Sequence, residues 1–214
     1  MERDAYFAGW AALHGGYDPR SNTLVRLWLS LTYVVARPLA RARVPPDAVT
    51  LLSLAVSGAA AGLAAGDGGW WLLGAALVVV LSGLVDNLDG AVAVLTGRVT
   101  RWGAVLDSLA DRVSDLLYLL ALWLAGAPAA VCVGGGVLMV LQEYARARAG
   151  ASGMAEVGVI TVWERPTRVI VTAAFLASAA LLGDPWPTLG AAAWVGLGVV
   201  GLVQLLVVVR RRLA

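Results

Sequence analysis

Lysine is missing from this 214-residue chain, and cysteine and histidine each occur once. Charged residues make up only 14% of it, against about 25% in a typical soluble domain. Each scarcity removes a class of function. Without lysine there is no Schiff-base chemistry. Cys132 alone forms no internal disulfide, which excludes a secreted disulfide scaffold. Single His14 and Cys132 residues exclude a zinc site of the usual His/Cys kind. So apolar a composition excludes disorder and a nucleic-acid partner, whereas the net charge of +2 says little. What is present is 60% hydrophobic, with a mean hydropathy of +0.80. That excess has nowhere to go except lipid. Ala, Leu and Gly dominate and alternating strand patterns are absent, so the expected fold is an all-α integral membrane protein.

Six apolar stretches run through 48–66, 69–95, 103–126, 128–149, 167–183 and 187–209. A spanning helix needs about 20 residues, which makes the first and fifth short and the second long. The connections at 67–69, 125–128 and 183–187 hold no arginine. The alternate ones hold Arg98 and Arg101, then Arg146, Arg148, Arg165 and Arg168, and Arg210 to Arg212 close the chain. By the positive-inside rule, both termini and the arginine-rich loops are cytoplasmic in a multi-pass protein of the inner or plasma membrane. Trp70, Trp71, Trp123 and Trp186 fall at outer span ends and Trp102 and Trp163 near inner ones, as interfacial anchors do.

Residues 1–18 carry no signal-peptide pattern. Over 22–44 the sequence is amphipathic: Leu24, Leu27, Trp28, Leu31, Val34 and Val35 recur at helical spacing among Arg26, Arg37, Arg41 and Arg43. The arginines argue against an extra span and for a helix on the inner membrane surface. Pro45 and Pro46 then break the chain. The expected organisation is an N-terminal segment (1–21), a surface helix (22–44), a domain of six transmembrane helices (45–209) and a basic tail (210–214).

Intramembrane carboxylates are costly and usually functional, and here they cluster. Asp86 and Asp89 are three apart near the end of the second span; Asp107 and Asp111 are four apart on the third. At about 1.5 Å per residue, the two pairs reach similar depth on adjacent antiparallel helices, open to the cytoplasm. Four carboxylates together need positive charge. Oxygen-only ligands favour Mg²⁺ or Mn²⁺, and two such ions would balance four aspartates and suit displacement at phosphorus. Two other readings stand beside this one: helix–helix glue through Arg98, Arg101 and Arg112, and an ion-coupled transporter. Asp115 reads as a supporting or Arg112-paired group and His14 as a surface residue. Gly134 to Gly136 read as close helix packing. Gln142 and Glu143 are candidates to touch a substrate.

The stretch DNLDGAVAVLTGRVTRWGAVLDSLAD, from Asp86 to Asp111, resembles the signature of the CDP-alcohol phosphotransferases. Asp86, Asp89, Gly90, Ala93, Gly103, Asp107 and Asp111 fall on its positions, with the eight-residue gap kept; Val94 stands where the family has arginine. The segments EYARARAGASG and WERPTR at 143–153 and 163–168 resemble the bacterial phosphatidylinositol-phosphate synthase branch. The likeness runs from about residue 22 onward, and the first twenty residues match nothing in the family. It implies transfer of a phosphatidyl group from a CDP-linked lipid, CDP-diacylglycerol, to an alcohol acceptor, with release of CMP. It implies that Asp86, Asp89, Asp107 and Asp111 hold two Mg²⁺ or Mn²⁺ ions and that Asp111 is the general base. It places Asp47, Thr50, Gly90, Ala93 and Thr100 at the donor and Arg146, Arg148, Arg165 and Arg168 at a phosphorylated acceptor. It also implies a homodimer among membrane lipids. Val94 opens several alternatives: weaker or altered donor binding, compensation by Arg98 or Arg101, or a catalytically silent paralogue.

Overall fold

The computed structural model describes residues 2–13, 16–154 and 160–214; His14 and the side chain of Leu24 lie outside this description. The described chain is all-helical, with eight α-helices and a short 3-10 turn at Pro19–Ser21. In order they are α1 (Arg3–Leu13), α2 (Thr23–Arg41), α3 (Pro46–Ala64), α4 (Gly69–Thr96), α5 (Arg101–Leu124), α6 (Ala129–Ala151), α7 (Arg165–Leu182) and α8 (Trp186–Leu213). The last six fall on the six apolar stretches. Among them α3, α4, α7 and α8 are long and apolar enough to cross a bilayer. On α5 the row of Asp107, Asp111, Arg112 and Asp115 lowers the apolarity, and on α6 the run from Gln142 to Arg148 does so. With this composition the protein is a multi-pass membrane protein.

Helix ends follow from local chemistry. Gly97 takes φ 67°, a left-handed conformation open to glycine, and stops α4. Arg98 N–H then bonds back to the Ala93 carbonyl at 2.9 Å. Gly126, at φ 115°, ends the turn after α5 in the same way, with Ala127 N–H on the Leu122 carbonyl. Thr100 starts α5: its hydroxyl accepts from Gly103 N–H at 2.9 Å, as an N-cap does.

The chain forms two compact units, Met1–Ala55 with Ser82–Asp111, and Val56–Leu81 with Arg112–Ala214. In the first, Tyr6 and Phe7 of α1, Leu29, Tyr33 and Ala36 of α2, and Leu88, Val92 and Val94 of α4 share a core. The outer stripe of α2 stays exposed at Leu27 (60%), Leu31 (46%) and Val34 (65%). An apolar stripe left outside a packed helix is the surface a membrane interface would cover. In the second unit Tyr118, Leu122, Met139, Leu176 and Trp194 centre the core, and α8 packs along α6 and α7. A Cβ on Gly135 would lie 3.3 Å from both Leu119 Cδ2 and Trp194 Cβ, so the glycine run serves close packing.

Candidate metal and nucleotide site

In the first unit, one carboxylate oxygen from each of Asp86, Asp107 and Asp111 lies within 4.8 Å of the others. Helix periodicity accounts for this. Asp107 and Asp111 sit one turn apart on α5, and Asp86 comes from the C-terminal half of α4. Three oxygens and no nitrogen or sulfur fit a hard divalent cation. Asp89, the fourth expected ligand, is engaged differently. The Thr50 hydroxyl donates to its Oδ2 at 2.5 Å and Gly90 N–H to its Oδ1. Each carboxylate oxygen has a second acceptor direction, so these bonds orient Asp89 without exhausting it. Ser53 of α3 donates to Asp86 Oδ1 at 3.4 Å.

Of the residues expected at the donor, Gly90 lines a cavity with the carboxylates. This cavity of about 240 Å³ is lined by Asp86, Asp89, Gly90 and Asp107, together with Tyr6 and Trp10 of α1. A Cβ added at Gly90 would meet nothing within 4 Å, so the cavity side of α4 is open at that point. Thr50 reaches the site through Asp89. A Cβ on Gly103 would lie 3.1 Å from Thr100 Oγ1 and 3.8 Å from Asp47 Oδ1, which brings the last two together at the start of α5. Ala93 is partly buried one turn after Gly90. Tyr6 and Trp10 have no counterpart in the sequence-based expectations, because no signature reaches them.

The four arginines belong to the second unit and differ in role there. Arg168 is fully buried. Its guanidinium donates to Asp115 at 2.7 Å, to Glu143 at 3.0 Å and to the Trp163 carbonyl at 3.0 Å. Glu143 also pairs with Arg112 at 2.8 Å, and Arg146 pairs with Glu164 at 2.7 Å. Asp115 thus has Arg168 as its close partner, with Arg112 Nε farther away at 3.9 Å. Arg148 is exposed and Arg165 partly buried. Burial raises the Glu164 pKa, but Thr161 N–H and the Arg146 guanidinium outweigh it and hold the carboxyl below its ordinary value. Gln142, fully buried, donates to Thr161 Oγ1 at 3.1 Å.

Comparison with known proteins places these features in one group. The CDP-alcohol phosphatidyltransferase profile matches residues 43–209. The chain is 38% identical to the phosphatidylinositol phosphate synthase of Mycolicibacterium smegmatis over 190 residues, covering 84% of this chain and 82% of the relative. Two crystal structures of the Mycobacterium tuberculosis phosphatidylinositol phosphate synthase are similar. One, with CDP-DAG bound, has a TM-score of 0.68 at 33% identity, covering 84% of this chain and 94% of that one. The other, in complex with manganese and citrate, has a TM-score of 0.69 at 34% identity, covering 84% of this chain and 88% of that one. The signature aspartates, the helical membrane fold and the extent of these matches agree: the chain belongs to the CDP-alcohol phosphatidyltransferase family and is a membrane transferase of phospholipid biosynthesis.

Proposed function

We propose that this enzyme transfers the phosphatidyl group of CDP-diacylglycerol to the hydroxyl of an inositol phosphate and releases CMP. The convergence of Asp86, Asp107 and Asp111 beside an open nucleotide-sized cavity carries this reading. The named relatives supply the substrate class, being phosphatidylinositol phosphate synthases. The transport alternative loses its basis once the same aspartates are accounted for as the transferase signature.

Asp86, Asp107 and Asp111, with Asp89 beside them, would hold two divalent ions, Mn²⁺ or Mg²⁺. Bound there, such ions would supply charge neutralisation for the diphosphate and for the departing CMP. The chain's own residues do the rest. Gly90 and Ala93 leave room for the nucleotide against α4, while Thr50 fixes the Asp89 carboxylate. Asp47 and Thr100, near one another at the start of α5, would contact the donor. Asp111 takes the proton of the acceptor hydroxyl as its oxygen bonds to the lipid-side phosphorus and the bond from that phosphorus to CMP breaks. Arg146, Arg148 and Arg165 grip the acceptor phosphate, a task suited to planar guanidinium groups. Arg168 supports that group by holding Glu143 and Asp115. In this reading all six helices α3 to α8 span the membrane, α2 lies on the cytoplasmic surface, both termini and the site face the cytoplasm, and the working form is a homodimer.

The test is CMP release by purified protein given CDP-diacylglycerol, Mn²⁺ and a panel of inositol phosphate, glycerol phosphate and free inositol. Release with inositol phosphate, and formation of the phosphorylated lipid by mass spectrometry, is the expected result. Release with glycerol phosphate alone would reassign the acceptor, and no release with any of them would overturn the reading.

A further inference from the structure

The family match begins at residue 43, yet α1, far ahead of it, forms part of the cavity that holds the site aspartates. Tyr6 and Trp10 line this cavity with Asp86, Asp89, Gly90 and Asp107. The helix is firmly seated. Tyr6 is 1% exposed, its hydroxyl lies 3.2 Å from Thr32 Oγ1 and its ring 5.5 Å from that of Tyr33. Asp4 pairs with Arg20 at 2.7 Å, and Trp10 meets Tyr17 edge-on at 6.3 Å.

The seat depends on one close approach. A Cβ on Gly9 would stand 2.8 Å from Val94 Cγ1, closer than real Cβ contacts come. Val94 itself is buried under α1. This is the signature position that carries arginine in the family. A larger side chain at 94 would press on α1 at Gly9.

We propose that α1 completes the donor pocket and that Trp10 is a donor-contacting specificity residue, packing its indole against the cytidine of the CDP headgroup. This rests on the reading of Asp86, Asp89 and Gly90 as the donor site. An indole offers a flat apolar face on which a pyrimidine ring can stack. Gly9 and Val94 are positioning residues in this scheme, since they set how closely α1 approaches the cavity.

The test compares wild type, W10A, W10F, G9A and the G9A/V94A pair. It reads KM for CDP-diacylglycerol, KM for the acceptor, and calorimetric binding of CMP in the presence of Mn²⁺. W10A is expected to raise the donor KM and weaken CMP binding by about tenfold, the scale of losing a base-stacking aromatic, with the acceptor KM unchanged; W10F recovers most of the loss. G9A is expected to weaken CMP binding because its methyl meets Val94. G9A/V94A restores binding, since removal of Cγ1 clears that contact. W10A with unchanged CMP binding, or with donor and acceptor KM raised equally, overturns the assignment, as does a G9A/V94A pair no better than G9A alone. A wild type that binds CMP but releases none from CDP-diacylglycerol contradicts the proposed reaction instead, and the calorimetric series still decides the role of Trp10.

Discussion

Single residues in this protein are tuned by the partners that the fold hands them. Glu164 accepts from Thr161 N–H at 2.8 Å and from Arg146 at 2.7 Å, and these bonds keep its folded-state pKa below the ordinary 4.5 despite its burial. A depressed carboxylate stabilises the fold at pH above its unfolded value, and that contribution disappears as pH falls through the folded value. Wild type is therefore expected to melt higher than E164Q at neutral pH, with the gap closing below pH 4.5. Thermal unfolding of both proteins across that range measures it; a gap that widens with acid would contradict the assignment. The same scale shows what sequence could and could not reveal. Asp86, Asp107 and Asp111 were legible because their spacing is a property of one strand of text. The Thr50 bond to Asp89 was not, since it joins residues thirty-nine apart through the packing of α3 on α4.

At the scale of elements, the helices α3 to α8 were legible because a bilayer demands long apolar runs, and their observed ends fall within a few residues of those runs; α3, α4, α7 and α8 are long and apolar enough to span. The inner face of α2 was less so. The stripe of Leu27, Leu31 and Val34 was visible, but these are the exposed residues, and Leu29, Tyr33 and Ala36 make the buried face. Helix α1 was invisible, being 11 residues long with no strong periodicity and no signature. In the second unit α5, α6 and α7 are tied by Asp115, Glu143 and Arg168, a cluster that sequence order does not bring together. Arg168 and Asp115 are both fully buried. Removing one partner of such a pair leaves a charge uncompensated, at a cost of about 3–5 kcal/mol. D115A is expected to show that loss in denaturant unfolding in detergent. A loss below about 1 kcal/mol, the scale of an exposed pair, would mean that Glu143 and the Trp163 carbonyl satisfy Arg168 by themselves.

For the whole molecule, composition set the membrane fold and the arginine distribution set the expected orientation, while the proposed chemistry rests on three carboxylates of α4 and α5. The central claim is that Asp86, Asp107 and Asp111 act as a divalent-cation site for phosphatidyl transfer. The most direct measurement is CMP release by wild type and by D107N, with Mn²⁺, with excess EDTA, and with Mn²⁺ restored. The account predicts release only with the cation, recovery on its return, and no release from D107N at an unchanged melting temperature. Full activity of wild type in excess EDTA, or a wild-type rate from D107N, would contradict it.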